Sequence, residues 1–304
     1  MTGRYDNLMR RIGGGQQIVI DGGTGSEMER RDIPSINNAW TCRAALSHPE
    51  IVRDVHVEYI EAGANVVISN TFATHKAMLR DAGLESDFEA VNRRAVEIAV
   101  EARDVSARRD VVVAAGMSHW SFTGAEPMLD ELERDAVEQA AIMAEAGAEL
   151  FVLEMMSNIE RMHRLVLAAK STGLPVWVGL TVGTDDGTLH TPGVMTLRSG
   201  ELLVDAIAAL DGLDIGLVAI MHTDVALIDP CLDVVFEAWD GPVGVYAHSG
   251  QEVNETWSFD DVITPERYAA LSTGWLDRGI HMIGGCCGTR PDHIREITKI
   301  DSVT

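Results

Sequence analysis

Residues 278–291, RGIHMIGGCCGTRP, contain one complete unit of the pattern that decides the fold. A glycine comes where a helix should end, the short apolar run His281–Ile283 follows, and glycines and polar residues come next, before a new helix starts. Gly63, Gly147 and Gly173 also precede apolar runs in this way. The repeated unit indicates a chain in which strands and helices alternate.

Eight apolar runs along the chain are predicted to be strands. They are Gln17–Asp21, Asn65–Ser69, Val111–Ala115, Leu150–Glu154, Val176–Thr181, Gly216–Met221, Val243–Ala247 and His281–Ile283. Most are apolar throughout, which is typical of parallel strands covered on both faces. Amphipathic segments, for example 88–103, 130–146, 159–172 and 199–210, separate them.

This alternation, with no linker or low-complexity break, predicts an α/β fold with a single (β/α)8 TIM barrel over residues 1–304, rather than a doubly wound sheet. The segments after the first, third and seventh runs, 22–49, 117–129 and 248–264, are predicted to be long loops on the catalytic face.

Composition excludes several classes of function. A net charge of −23 argues against nucleic-acid binding, and no apolar run is long enough to span a bilayer. Four cysteines do not make a disulfide scaffold, and no signal peptide is evident, so a cytoplasmic protein is expected. The oligomeric state stays open, and a homo-oligomer is compatible with the sequence.

Active sites of such barrels form at the carboxyl ends of the strands. Polar residues follow nearly every apolar run there: Asp21, Asn70 with Thr71, Ser118 with His119, Glu154, Thr181, His222, His248, and Cys286 with Cys287. The adjacent cysteines could hold a soft metal such as zinc, pack as inert hydrophobes, or form a strained redox pair. Gly284 and Gly285 are expected to adopt unusual dihedrals that turn both sulfurs towards one centre.

Histidines offer a third ligand for such a centre. His222 is predicted to end strand six, from which it could reach the sulfurs, and His248 at the end of strand seven is the competing candidate. Cys42 and Cys231 lie away from this rim and are interpreted as structural.

Two carboxylates add to the candidate site. Asp21 begins a glycine-rich turn, 21–25, that lacks the last glycine of a dinucleotide-binding fingerprint. One interpretation is that its glycines let the backbone approach a small ligand closely while Asp21 holds an amino group of that ligand. The other is that the segment is a tight turn with Asp21 as its capping residue. Glu154 closes an apolar strand, which is costly unless the carboxylate is paired or binds a cation.

Over almost its whole length the chain resembles the homocysteine S-methyltransferase family. The resemblance rests on DGGTGSEMERR at 21–31, HVEYIEAGA at 56–64, NTF at 70–72, Glu154, and 275–279 leading into GGCCGTRPDHI at 284–294. In that family the paired cysteines bind zinc together with a third cysteine, from an Asn-Cys pair that ends strand six. The resemblance therefore implies that Cys286 and Cys287 are catalytic zinc ligands. It also implies that Asp21, Gly22, Thr71 and Glu154 surround the amino-acid part of homocysteine.

The chain departs from the family pattern at strand six, where Met221-His222 stands in place of Asn-Cys. We favour His222 as the third zinc ligand and catalytic residue, since zinc accepts a Cys2His set; the other reading is a site that has lost metal binding. The loops after strands three and seven also differ, which affects substrate identity and makes His248 a candidate substrate-binding residue.

The resemblance implies zinc-dependent transfer of a methyl group from a sulfonium donor, such as S-methylmethionine, to the thiol of homocysteine, giving methionine. A neutral histidine in place of a thiolate should make the bound substrate sulfur less nucleophilic, which favours a sulfonium donor over betaine. Three alternatives stay open: another thiol or selenol acceptor, demethylation of a sulfonium or betaine osmolyte, and a non-catalytic barrel that binds a ligand or partner.

Overall fold

The parallel sheet predicted from the sequence is present and closes on itself. The computed structural model describes residues 3–36, 38–124, 126–184, 187–249, 251–253, 256–258 and 263–300. The strands are β1 (Ile18–Val19), β2 (Val66–Ile68), β3 (Val112–Met117), β4 (Leu150–Met156), β5 (Val176–Leu180), β6 (Leu217–Asp224), β7 (Val243–His248), β8 (Gln251–Val253), β9 (Thr256–Ser258) and β10 (Met282–Ile283).

All strands except β8 and β9 form one parallel sheet in the order β1-β10-β7-β6-β5-β4-β3-β2. A parallel bridge between Ile20 and Val66 joins the two outer strands, so that the sheet forms a barrel. The predicted (β/α)8 TIM barrel is confirmed. β8 and β9 form a separate antiparallel pair.

Helices surround the barrel, except that Leu8 and Ile12 of the first helix pack into the cluster inside it. They are α1 (Arg4–Gly13), α2 (Thr24–Arg30), α3 (Ala44–Ser47), α4 (Pro49–Ala62), α5 (Lys76–Asp81), α6 (Phe88–Val105), α7 (Leu129–Glu145), α8 (Ile159–Lys170), α9 (Leu203–Ala208), α10 (Ile228–Ala238), α11 (Pro265–Asp277) and α12 (Pro291–Ile297). Short 3₁₀ turns occur at Glu85–Asp87 and Val225–Leu227. None of the described helices has both the length and the apolarity needed to cross a membrane.

Local signals explain where these helices begin and end. Gly63 follows α4 with φ 114°, a left-handed conformation that favours glycine and turns the chain towards β2. Asn158 and Thr264 accept hydrogen bonds from backbone N–H groups in the first turns of α8 and α11. Proline occupies the first position of α4, α11 and α12, where its missing N–H has no cost.

The apolar core has two layers. One fills the barrel interior, with Trp177, Leu217 and Tyr246 among its members. The other lies between the strands and the helices and includes Val178, Cys231 and Trp275. Strands buried on both faces explain why the predicted runs are continuously apolar.

Four details differ from the sequence-based predictions. The segment 22–49 contains α2 and α3 instead of an open loop, and α9 covers only the central part of 199–210. The connection from β5 to α9, residues 181–202, is also long and folds over the rim through isolated bridges such as Val182 to Leu197. The predicted loop 248–264 includes β8 and β9, and its residues 250, 254–255 and 259–262 lie outside the described residues.

Candidate active site

Two strand irregularities shape the rim of the barrel. β4 shifts register between Leu153 and Met156, and β6 shifts between Met221 and Asp224. Met155 and His222, which lie within these shifts, have φ of 57° and 42°, values that cost a non-glycine residue about 1 kcal/mol or more. Such bulges re-aim side chains next to active sites. β6 therefore does not end at His222, as predicted, but bends there.

The bend in β6 brings His222 to the paired cysteines that follow β10. Cys286 Sγ lies 3.5 Å from His222 Nδ1 and 3.9 Å from Cys287 Sγ. One ligand atom from each of the three residues lies within 4.8 Å of the other two. The structure thus brings together all three residues predicted to bind metal.

Two of these separations fit a single tetrahedral ion. Zinc–sulfur and zinc–nitrogen bonds of about 2.3 and 2.05 Å imply separations of about 3.8 Å between two sulfurs and about 3.6 Å between sulfur and nitrogen. The observed Sγ–Sγ and Sγ–Nδ1 distances, 3.9 and 3.5 Å, agree with both values. Burial also keeps the pKa of His222 well below its ordinary value, so the imidazole is in the neutral form that binds metals.

The glycines before the cysteines serve a different purpose from the one predicted. Neither Gly284 nor Gly285 has a left-handed φ. A Cβ at Gly284 would collide with the side chain of Ile20, and one at Gly285 would collide with Thr289. The left-handed residue is Gly288, with φ 81°, after the pair. Close packing against β1 and the following turn, rather than backbone dihedrals, therefore requires glycine at 284 and 285.

A cavity of about 410 Å³ opens in front of the cluster. Its lining combines carboxylates, aromatic rings and the metal-ligating groups, within a size range typical of small-molecule sites. The lining residues include Asp21, Gly22, Gly23, Glu29, Trp40, Ser69, Asn70, Phe72, Trp120, Phe122, Glu154, Arg198, His222, Tyr246, Cys286 and Cys287.

The two predicted carboxylates lie on this cavity and are strongly perturbed. Burial raises the pKa of Glu154 to about 8. Burial, and secondarily the neighbouring Glu154, raises the pKa of Asp21 well above its ordinary value, although Asp21 Oδ2 accepts a 2.7 Å hydrogen bond from the Ile68 N–H. Both groups therefore favour the neutral form until a cation enters the cavity, and a ligand ammonium would supply that cation.

The other predicted substrate-binding residues lie in different positions. Gly22 lines the cavity, where a Cβ would come within 2.9 Å of Thr289. Thr71 is 0% exposed and is not among the lining residues; its hydroxyl donates to the carbonyl of Gly116 at 2.7 Å. Its adjoining residues Ser69 and Asn70 face the cavity instead.

His248 lies behind His222 rather than on the cavity wall. The two rings meet edge to face with centroids 4.7 Å apart. Burial lowers the pKa of His248 to about 4. In this position His248 packs against the His222 ring and limits its orientation, as a residue next to a metal ligand would.

Sequence reasoning missed the aromatic residues of the cavity. Trp40, Phe72, Trp120 and Phe122 come from the connections after β1, β2 and β3, where no strand pattern marks them. Tyr246 points inward from β7, and its hydroxyl is buried without a hydrogen-bond partner among the described residues. The available signal was the clustering of aromatic residues in long connections on the catalytic face.

Comparison with known proteins identifies the family of this chain. The homocysteine S-methyltransferase family model matches residues 18–300. The chain is 25% identical to selenocysteine methyltransferase of Astragalus bisulcatus (94% of this chain, 93% of that protein). It is 26% identical to homocysteine S-methyltransferase 1 of Zea mays (98% of both). It is 28% identical to betaine–homocysteine S-methyltransferase 1 of Danio rerio (98% of this chain, 76% of that protein).

A solved structure shows the same fold. The metallated form of the homocysteine methyltransferase MmuM from Escherichia coli superposes with a TM-score of 0.78 at 21% identity, covering 96% of this chain and 99% of that one. Since the family model spans the barrel from its first strand to beyond its last helix, the chain belongs to the homocysteine S-methyltransferase family.

Proposed function

We propose that this chain is a zinc-dependent methyltransferase that transfers a methyl group from a sulfonium donor, such as S-methylmethionine, to the sulfur of homocysteine. The observation that carries the proposal is the cluster of His222, Cys286 and Cys287 on the wall of a cavity that also exposes Asp21 and Glu154. Three protein ligands leave the fourth position of a tetrahedral zinc ion for a substrate.

When bound, zinc would keep the substrate thiol deprotonated at neutral pH, where a free thiol is mostly protonated. The substrate sulfur then attacks the methyl carbon, the bond from that carbon to the donor sulfur breaks, and its electron pair returns to the donor sulfur. The donor leaves as a neutral thioether. With S-methylmethionine as donor, both products are methionine.

Asp21 and Glu154 would hold the ammonium group of homocysteine. Each carboxyl has a pKa raised by burial, so an entering ammonium stabilises the ionised form and the pair binds it as a charge-assisted contact. Holding the amino end fixes the direction in which the substrate sulfur approaches the methyl group, and such alignment supplies much of the rate.

The aromatic wall supports a cationic donor. Trp40 and Phe72 meet edge to face at 6.4 Å, and Trp120 and Phe122 complete the lining on the same cavity. Aromatic faces attract onium groups by electrostatics while keeping water away from the methyl carbon. The cation must lose its charge during the reaction, which favours departure of the product.

His222 in place of a third thiolate supports a sulfonium donor in particular. A neutral imidazole leaves the ligand set one negative charge smaller, so the substrate sulfur is a weaker nucleophile and needs a better leaving group. A thioether leaves from sulfonium more readily than an amine leaves from betaine.

The test is a donor comparison on purified protein with its zinc content measured. The proposal predicts about one zinc ion per chain and faster methylation of homocysteine from S-methylmethionine than from betaine. Protein without zinc and without transfer from either donor would overturn it. Faster use of betaine would overturn the sulfonium preference alone.

A selenol acceptor is the second candidate, because one relative of this chain carries the name selenocysteine methyltransferase. Competition between homocysteine and selenocysteine for a single methyl donor distinguishes the two. A kcat/KM that favours selenocysteine would reassign the acceptor and leave the site chemistry unchanged.

A further inference from the structure

Arg198 brings a fixed positive charge to the cavity that the account above does not use. Its guanidinium carbon lies 4.8 Å from the centroid of the Trp120 ring, and both residues line the cavity. Arg198 comes from the connection after β5 and Trp120 from the connection after β3, so the pair links two loops of the rim.

The backbone around this pair is held in place. Leu197 forms a β-bridge with Val182, and its N–H donates to Glu201 O at 2.8 Å. The Ser199 N–H donates to Ser157 O at 3.1 Å, at the end of β4. The Trp120 carbonyl contacts His75 Nε2 at 2.7 Å. A pre-ordered guanidinium loses little entropy when it binds an anion.

A guanidinium held beside an aromatic ring suits recognition of a carboxylate. The group carries five N–H donors in a planar fork. That planar fork matches the two oxygens of a carboxylate. Arg198 is also the single lysine or arginine among the described residues that line the cavity, in a chain with a net charge of −23.

The methyl donor of the proposed function is an onium compound, and a carboxylate on the same molecule would give the Arg198 guanidinium an anionic ligand. The carboxylate proposed to bind the acceptor's ammonium, Asp21, is only 2% exposed. Phe122, two residues after Trp120, is 48% exposed and marks the side of the cavity that is open to solvent. The buried carboxylates therefore suit the ammonium of the acceptor, and the more exposed wall of the cavity suits the methyl donor.

We propose that Arg198, supported by Trp120, binds the carboxylate of the methyl donor and restricts the enzyme to donors that carry one. The inference rests on the proposed function in that the onium compound is taken to be the donor. It makes Arg198 a specificity-determining residue: a carboxylate-bearing sulfonium fits, and the same sulfonium with its acid masked as an amide does not.

The experiment compares S-methylmethionine with its carboxamide as methyl donors to homocysteine, using wild type, Arg198→Gln and Arg198→Lys. Wild type should prefer the carboxylate by about tenfold or more in kcat/KM, mainly through KM. Arg198→Gln should bring the preference close to unity. Arg198→Lys should lose part of it, because lysine keeps the charge but not the planar fork.

Arg278→Gln is the matched control. Arg278 also lies over an aromatic ring, Phe236, at 5.8 Å, but it does not line the cavity. The control should keep the wild-type preference, and thermal melting should confirm that each variant is folded. If Arg198→Gln does not fold, Arg198→Lys decides: a reduced preference supports the inference.

An undiminished preference for the carboxylate in a folded Arg198 variant would overturn the inference. A rise in the KM of homocysteine without a rise in that of S-methylmethionine would also overturn it, since Arg198 would then serve the acceptor. Failure of the proposed function looks different: no variant transfers methyl groups. Calorimetric titration then tests the inference separately. Tighter binding of S-methylmethionine than of its amide to wild type, with the difference lost in Arg198→Gln, would support the inference without the proposed function.

Discussion

The rim of the barrel and the layers around it hold the same residue types in opposite circumstances. Cys231 lies in apolar packing away from the rim, whereas Cys42, also predicted to lie away from it, belongs to an apolar cluster that packs against the cavity residues Trp40 and Phe72. Burial raises the pKa of the Cys42 and Cys231 thiols to about 11 and about 12. The rim thiol Cys286 is also raised, chiefly by its contact with Cys287 and by burial. What distinguishes the rim is its composition: a second thiol and an imidazole converge there, whereas Cys231 meets the thioether of Met195 at 3.7 Å.

Histidines in the helix layer and at the rim differ in the same way. His56 on α4 and His222 on β6 are both buried, and burial lowers the pKa of each. His56 has no hydrogen-bond partner for either ring nitrogen among the described residues, and its pKa falls to about 4. His222 instead sits on a strained backbone, facing sulfur. Burial by itself makes these groups neutral, and only their convergence gives them the geometry of a metal site.

The largest expected effect comes from removing a rim thiol. Cys286→Ala and Cys287→Ala should each lose zinc and lower kcat/KM more than about a hundredfold, since changes to outer partners of a metal ligand alone cost 10- to 100-fold. Metal analysis and a homocysteine methylation assay measure both effects. Cys42→Ala and Cys231→Ala are the controls and should keep zinc. Full zinc content in both rim variants would remove the distinction between the two regions.

The cavity carboxylates come next. Glu154→Gln should raise the Kd of methionine by about ten- to a hundredfold, because the amide cannot offer a charged partner to the ligand ammonium. The raised pKa of Glu154, about 8, means that the empty site must release a proton when the ammonium binds. Methionine affinity in wild type should therefore increase as pH rises from 7 to 8.5.

Calorimetry across this pH range measures that slope, which Glu154→Gln should reduce. Asp21 contributes in the same direction, so the slope need not vanish. An unchanged slope in the variant would assign the titration to another group.

The buried His56 on α4 provides a test in the helix layer, measured by the free energy of unfolding. Its pKa is about 4 in the folded protein and about 6.5 unfolded, so the native state binds fewer protons and loses stability as pH falls from 6.5 towards 4. The loss is about 2 kcal/mol at pH 5. His56→Leu should lack this loss, so that urea unfolding shows the variant gaining on wild type between pH 7 and pH 5. A parallel pH dependence in both proteins would mean that His56 does not titrate as its burial implies.

Cys231→Ala should have the smallest effect. Removing one buried sulfur from the packing of α10 lowers the free energy of unfolding by about 1–2 kcal/mol, without changing zinc content. Cys231→Ser should cost more, because it buries a hydroxyl in an apolar contact. Thermal melting ranks the two, and the reverse order would show that Cys231 has a polar environment.

The sequence was sufficient to predict the barrel because its strands are buried on both faces. Such strands appear in the sequence as continuous apolar runs, each followed by polar residues at the rim. It also pointed to Cys286, Cys287 and His222, which the fold brings together, since thiols and an imidazole are rare at strand ends. The bulges at Met155 and His222 could not be predicted, because neither residue is a glycine and the conformation is imposed by neighbouring strands.

Other parts of the site depend on tertiary contacts that leave no periodic signal. Thr71 turned inward to Gly116 while the adjoining Ser69 faces the cavity, a choice set by the local turn. Arg198 and Trp120 meet across 78 residues of sequence, and only the folded connections bring them together. Long connections on the catalytic face therefore hold most of the specificity that sequence patterns do not reveal.

The central claim is that His222, Cys286 and Cys287 share one zinc ion. X-ray absorption at the zinc edge of the purified protein tests it most directly. The account predicts a shell with two sulfurs at about 2.3 Å and one nitrogen at about 2.0–2.1 Å, a third sulfur when homocysteine is added, and loss of the nitrogen in His222→Ala. A shell without sulfur, or an unchanged nitrogen contribution in His222→Ala, would contradict it.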